Sequence, residues 1–242
     1  MDKGYTIPVL DLGYVRYIDH LGDDERICEA ARISYKSPSK GEESDKKLIA
    51  YLWKNRHTSP FEQCNLTYNI KLPLFVQGQM VRHRTQRLNQ VSSRYTEMKE
   101  EFYIPKEWRK QDIKNKQGSV DDKGWNPCLI SKDFFTGDEK RQTPSELLET
   151  HCQNSYELYK ELLEMGIARE MARMVLPQNL YTEIYSNWDL NNLMHFFTLR
   201  LDEHAQWEIR EYAKAMYSIA KEIYPWTIEA FEKYKWKLEE TL

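Results

Sequence analysis

The stretch CNLTYNIKL, residues 64–72, alternates without a break. Cys64, Leu66, Tyr68, Ile70 and Leu72 fall on one side, and Asn65, Thr67, Asn69 and Lys71 on the other. A period of two belongs to a strand with one buried and one wetter face. Pro73 ends the run and can open a helix, because the N–H that proline lacks has no intrahelical partner there anyway. The following LFVQGQMVRHR, residues 74–84, predicts that helix, with Phe75, Val76, Met80 and Val81 as its apolar side. Arg82 and Arg84 then fall near its C-terminus, where the helix dipole favours cations.

Towards the N-terminus, residues 5–18 mix β-branched and aromatic residues around Pro8 and Gly13 and predict one or two short strands. Residues 23–33 predict a helix with acids in its first turn, and residues 42–56 a second with Leu48, Leu52 and Trp53 on one side. Towards the C-terminus, residues 101–105 predict a short strand. Residues 106–143 read as a polar surface excursion in which Trp108, Trp125, Phe134 and Phe135 follow no period. Helices are expected over residues 144–165, just before Pro177, and over 189–202, with a strand-like run at 178–187. Ile209, Ala213, Met216, Ile219, Ala220 and Ile223 mark one long amphipathic helix, and Pro225 permits a last one through Trp236. The order of elements is that of a single α/β domain, with neither an internal repeat nor a linker.

Composition narrows the function. The chain has 242 residues, 13% of them aromatic, and a net charge of -3, so it can bury a large core and is not a basic nucleic-acid coat. Cys28, Cys64, Cys128 and Cys152 form no C-x-x-C pair, which argues against a disulfide scaffold or a zinc ribbon. The histidines show no metal-ligand spacing, and no metal is expected. The N-terminus lacks a signal-peptide pattern and no apolar run reaches membrane length, so a soluble, cytoplasmic protein is expected. The nine glycines form neither G-x-G-x-x-G nor a P-loop. Any phosphate must then be held by side chains rather than by a glycine loop.

One stretch supplies such side chains. QMVRHRTQRLNQVSSRY, residues 79–95, carries Arg82, Arg84, Arg87, Arg94 and His83, with no acid between Leu72 and Thr96. Arginine forks match phosphates and never lose their proton. Ser92 and Ser93 add hydroxyls, and Gln79, Asn89 and Gln90 add amides, a mixture suited to a sugar phosphate and a base. By spacing alone a solvated basic patch is the commoner outcome. Arg169 and Arg173 share a helix face, with Glu170 available for a surface ion pair. Arg200, amid Phe196, Phe197, Leu199 and Leu201, is expected to be partly buried and to need a partner. Asp202, Glu203 or an anion formed in a reaction could serve. On a continuous helix Arg200 and His204 would share a face. HTSPFEQ, residues 57–63, reads by default as a capped turn.

Taken in order, these pieces resemble the flavin-dependent thymidylate synthases. Arg82-His83-Arg84, seven residues and then Ser92 match that family's R-H-R signature. HTSPFE stands upstream, and REMARMVLPQNLY and LMHFFTLRLDEHAQWEIR follow in the family's order. The resemblance implies an α/β (α+β) fold, here one domain over residues 1–242 with a central, mainly antiparallel sheet and long C-terminal helices. It implies conversion of deoxyuridylate (dUMP) to thymidylate (dTMP), with methylenetetrahydrofolate as carbon donor and NADPH as reductant through FAD. It also implies a homotetramer with active sites where subunits meet, and neither nucleic acid nor membrane as partner.

Carried over by residue, Gln79, Met80, Val81, Arg82, Gln90, Val91, Ser92, Ser93, Arg94, Arg173 and Arg200 are expected to bind dUMP. Ser59, Arg82, His83, Arg84, Gln90, Asp189, Leu190, Asn191 and His195 are expected to bind FAD, with Ser34, Glu62 and His204 as further candidates. His57 and Arg200 are the expected catalytic residues. Arg200 would stabilise the pyrimidine as its N3 proton is lost, pushing electron density toward C5. The chain departs from the family's usual text at Gln63, Arg87, Gln90 and Asp189. Two other readings stand beside this one: a nucleic-acid-binding module, and a flavoenzyme acting on another pyrimidine nucleotide.

Overall fold

The computed structural model describes residues 1–34, 36–116, 118–120, 125, 127–132 and 139–234. In chain order the elements are β1 (Thr6–Val9), β2 (Gly13–Leu21), α1 (Asp24–Arg32), α2 (Glu42–Lys54), β3 (Asn65–Pro73), α3 (Leu74–Met80) and β4 (Arg87–Gln90). Two short hairpins follow, β5 (Lys110–Gln111) with β6 (Ser119–Val120) and β7 (Leu129–Lys132) with β8 (Glu139–Gln142). Then come α4 (Pro144–Glu164), α5 (Arg169–Ala172), β9 (Tyr181–Asp189), α6 (Leu190–Arg200), α7 (Trp207–Ile223) and α8 (Pro225–Lys233). The expected mixed α/β fold with a mainly antiparallel sheet and long C-terminal helices is the observed one.

The chain forms two compact units. Met1–Lys71, Gly78–Asn89 and Glu183–Leu242 make the first. Its sheet has the order β1-β2-β3-β9-β4, with β1/β2 and β2/β3 antiparallel. The alternation in β3 is real: Leu66, Tyr68 and Ile70 are buried. Asn69, on the wetter side, is also buried, and its amide donates to Glu183 Oε1 at 2.8 Å and to the Ile184 carbonyl at 3.3 Å. Strand alternation reports the core face but not a polar residue covered by its neighbour strand. Against the sheet lies α7, which buries Ile209, Ala213, Met216, Ile219 and Ala220. Tyr68 Oη donates to the Met216 carbonyl at 3.0 Å, and Tyr212 Oη to the Lys71 carbonyl at 2.8 Å. Asp23 caps α1, and the buried Asp24 caps α8 by accepting from the backbone N–H groups of Trp226 and Thr227.

The second unit comprises Leu72–Gln77 and Gln90–Thr182. Thr143 and Glu146 form a full capping box at the start of α4. Met98, Tyr159, Ala172 and Leu180 centre its core. Residues 101–105 are not a strand. They make one isolated bridge, Phe102 to Leu180, because the local hydrogen bonds run to the irregular segment around Asn179. Within the polar excursion, the described residues form both antiparallel strand pairs, which its composition did not announce. In the first of these, the Gln111 amide donates to the carbonyls of Lys116 and Gly118 at 3.1 and 3.0 Å. Phe134, Phe135 and Trp236 lie outside the described residues. The last helix ends at Lys233.

Candidate active site

The R-H-R triplet sits in the turn that leaves α3. Met80, carried over as a nucleotide contact, is fully buried, so it anchors that turn in the core. The His83 N–H returns to the Met80 carbonyl at 3.1 Å, and the Gln86 amide reaches the same carbonyl at 2.7 Å. Ser186 Oγ donates in turn to Gln86 Oε1 at 2.8 Å. The turn points the triplet's side chains in two directions. His83 is buried, while Arg82 and Arg84 are exposed with no side-chain partner among the described residues.

His83 is boxed by rings. Phe196 stands edge-on at 4.9 Å, Trp188 is at 6.1 Å and the exposed His195 at 6.4 Å, centroid to centroid. Burial, helped by the charges of Arg200 and His195, lowers its pKa to about 4. Arg200, the last residue of α6, donates from Nε to His83 Nε2 at 3.0 Å. The partner foreseen at Asp202 or Glu203 is therefore incorrect. Nor is the helix continuous to His204. Asp202 accepts from the His204 backbone at 2.9 Å, a local turn that competes with helix propagation. His204 is exposed and faces Asp202 rather than sharing a helix face with Arg200.

The other candidates in the first unit lie on separate elements with partners of their own. Asp189 caps α6, accepting from the Asn192 N–H at 3.0 Å and from its side chain at 2.7 Å. Leu190 is buried and Asn191 half-buried, its amide 3.4 Å from Glu62 Oε1. His57 and Ser59 are exposed, and the His57 ring meets Tyr51 edge-on at 5.8 Å. His57 follows Arg56, whose φ of 56 places it in the left-handed region that non-glycine residues rarely adopt. Gln79 hydrogen-bonds Gln206 and Val81 is exposed. Arg87 is committed to protein, donating to Asn187 Oδ1 at 3.1 Å and to Asn65 Oδ1 at 3.4 Å. Sequence reasoning missed Trp188 and Gln86 as supports of His83 and its turn. Nothing local in the text distinguishes them.

The second unit holds a cavity of about 370 Å3. Its lining includes Gln90, Val91, Ser92, Ser93, Arg173 and Thr182, over an apolar floor of Leu74, Met98, Leu176 and Leu180. Gln90 donates to Thr182 Oγ1 and accepts from Gln77, both at 3.1 Å. Arg173 Nη1 donates to Ser93 Oγ at 2.9 Å. Arg94 pairs with Glu170 at 3.0 Å, so Glu170 serves Arg94 rather than making the expected side-chain pair with Arg173. An arginine, two serine hydroxyls and an amide over apolar walls suit a phosphorylated, partly apolar small molecule. Among the described residues no cluster of carboxylates, histidines or thiols could hold a metal, and no helix is long and apolar enough to cross a membrane.

Fold and side chains together define an α/β protein that offers exposed arginines, rather than a glycine loop, to an anionic ligand. The family described as thymidylate synthase complementing protein matches residues 16–226, and the chain belongs to it. The flavin-dependent thymidylate synthase of Thermus thermophilus is 47% identical over 234 residues, covering 97% of this chain and 81% of the relative. That of Thermosipho africanus is 45% identical over 231 residues, covering 95% of each. Among solved structures, a UMP/dUMP methylase from Streptomyces cacaoi bound with 5-Br UMP superposes with a TM-score of 0.75. It is 29% identical and covers 93% of this chain and 95% of its own.

Proposed function

We propose that this chain is a flavin-dependent thymidylate synthase. It methylates dUMP to dTMP with FAD as cofactor and methylenetetrahydrofolate and NADPH as co-substrates. One observation carries the reading: the R-H-R turn turns its histidine inward and leaves two arginines outward without side-chain partners among the described residues. Two free guanidinium forks fit the diphosphate of FAD, because each can take two phosphate oxygens. FAD, when bound, supplies the hydride that completes the methyl group.

The rest is work for side chains. Arg82 and Arg84 hold phosphate oxygens, with Ser59, His83, Gln90, Asp189, Leu190, Asn191 and His195 as the other proposed flavin contacts. With Asp189 engaged in capping, its part is to hold the start of α6 in place. Gln79, Val81, Arg82, Gln90 to Arg94, Arg173 and Arg200 are the proposed dUMP contacts, and the fully buried Met80 anchors the turn that carries the first three. Arg173, Ser92 and Ser93 take the phosphate. Arg200 keeps its Nη groups for the pyrimidine and stabilises negative charge as N3 ionises. Ser92 acts as a donor, since among the described residues no base adjoins it to make it a nucleophile. His57 lies beside the flavin. In this proposal residues 1–242 serve as one catalytic domain, and four copies assemble in the cytoplasm with active sites shared between them.

Product identification tests the reading. The protein with FAD, NADPH and methylenetetrahydrofolate should convert dUMP to dTMP, with UMP run in parallel. A protein that takes up no FAD, or that methylates UMP alone, would overturn it.

A further inference from the structure

Arg200 and His83 stand 117 residues apart in sequence and meet through one hydrogen bond, Nε to Nε2 at 3.0 Å. An arginine that binds a ligand with its two Nη groups needs the plane of its guanidinium fixed. A free side chain of this length samples many rotamers, and ordering it on demand opposes binding. Nε–H is the donor on the opposite edge of the fork from a bidentate ligand. An acceptor held rigidly at Nε therefore orients the fork without occupying it.

His83 is built to be that acceptor. A neutral imidazole accepts on one nitrogen and carries its proton on the other, so acceptance at Nε2 puts the proton on Nδ1. The Phe196 edge at 4.9 Å and Trp188 at 6.1 Å restrain the ring. The Met80 carbonyl, gripped by the His83 N–H and by Gln86, restrains its backbone. Burial keeps the imidazole uncharged, so it does not repel the cation it holds. An acidic residue in its place would bind Arg200 more strongly but would neutralise the charge that the pyrimidine anion needs.

We propose that His83 is a positioning residue for Arg200, its Nε2 lone pair fixing the plane in which the two Nη groups meet the pyrimidine. This rests on the assignment of Arg200 to the pyrimidine above. It gives the histidine of the R-H-R signature work separate from that of the arginines on either side. Their task is to hold phosphate, and its task is to aim a residue on another element.

The test is a double-mutant cycle read in kcat at saturating FAD, with bound flavin followed by its absorbance. His83→Leu removes the acceptor and should lower kcat about 100-fold, as misplacement of a catalytic group does, with the KM for dUMP changed far less. His83→Gln offers an acceptor near the Nε2 position and should restore most of that loss. His83→Asn, whose acceptor falls near Nδ1, should not. Added to Arg200→Ala, His83→Leu should cost nothing further, since it acts only through Arg200. Independent, multiplying losses would overturn the proposal, as would equal kcat values for the glutamine and asparagine variants. Should His83→Leu fail to fold, the glutamine–asparagine comparison still decides. If Arg200→Ala alone leaves kcat intact, the assignment of Arg200 fails instead, and a wild-type protein that makes no dTMP removes the functional reading altogether.

Discussion

Arg173 Nη1 lies 2.9 Å from Ser93 Oγ, joining the 3-10 turn after α5 to the serine pair that follows β4. The hydroxyl, with the Glu170 carbonyl that accepts from Arg173 Nε at 3.3 Å, holds a guanidinium on the wall of the 370 Å3 cavity and leaves Nη2 to face a ligand. A ligand phosphate would meet an arginine already in place. Arg173→Ala should weaken dUMP binding by about 2 kcal/mol, roughly thirtyfold, the usual worth of a hydrogen bond to a charged group. Ser93→Ala should weaken it only a few-fold. Equilibrium binding of dUMP measures both, and an unchanged affinity in Arg173→Ala would remove this arginine from the phosphate site.

Glu170 neutralises Arg94 from an exposed position, at 3.0 Å. A carboxylate there also opposes the approach of any anion to Arg94. Glu170→Gln should therefore tighten dUMP binding by about two- to fivefold at low salt, within the range of an exposed ion pair. The gain should fade as ionic strength rises and screening shortens the reach of the charge. Weaker binding in this variant would mean that the pair is needed to position Arg94.

The four arginines of residues 79–95 are not equivalent. Arg87 is spent on Asn65 and Asn187, whereas Arg82 and Arg84 have no partner among the described residues. Arg87→Ala should leave flavin content and turnover within about twofold and destabilise the fold by about 1 kcal/mol, as the loss of ordinary hydrogen bonds does. Arg82→Ala and Arg84→Ala should do the reverse, losing flavin with little change in unfolding midpoint. Flavin loss in Arg87→Ala comparable to theirs would contradict the sorting.

Acid should weaken the fold through His83. Its pKa of about 4 lies below the ordinary 6.5, so as pH falls the unfolded chain takes up the proton first. Its stabilising effect is full above pH 6.5, declines between 6.5 and about 4, and is gone below that. By linkage the loss is about 3 kcal/mol at most. Urea unfolding at pH 7 and pH 4.5 should show a steeper decline in wild type than in His83→Gln, which cannot titrate there. Equal declines would rule out a buried neutral imidazole.

Gly13 opens β2 where the sheet meets α7. A Cβ there would stand 2.7 Å from the Val9 carbonyl and 2.9 Å from that of Lys71, and would overlap the Tyr212 hydroxyl that donates to Lys71. Backbone cannot withdraw as a flexible side chain can. Gly13→Ala should destabilise by about 3 kcal/mol, the upper range for overpacking, seen as a lower melting temperature. A change below 1 kcal/mol would show that the strand shifts freely.

Much of the fold was legible because local periods report local geometry. The alternation at 64–72 became β3, and the three-and-four spacing from Ile209 to Ala220 became the buried face of α7. The start of α4 at Pro144 was legible for the same reason, although its Thr143 cap was not foreseen. Residues 101–105 misled because β-prone side chains say nothing of whether a neighbouring strand is there to pair with. The end of α6 was legible to within two residues, 202 expected and Arg200 observed, but the Asp202 turn that separates His204 from the helix was not.

The sequence by itself determined the helices and the longer strands, the absence of a glycine phosphate loop, and the clustering of charge at residues 79–95, but not β4 or the short hairpins. Those are properties of neighbours along a chain. Only tertiary structure decided what the charges do. It buried His83, committed Arg87 to Asn65 and Asn187, paired Arg94 with Glu170, and left Arg82 and Arg84 free of partners among the described residues. It also gave Arg200 a histidine rather than a nearby carboxylate. An arginine takes whichever acceptor the packing of the core brings to its tip. That acceptor can lie a hundred residues away, where no spacing in the text points to it.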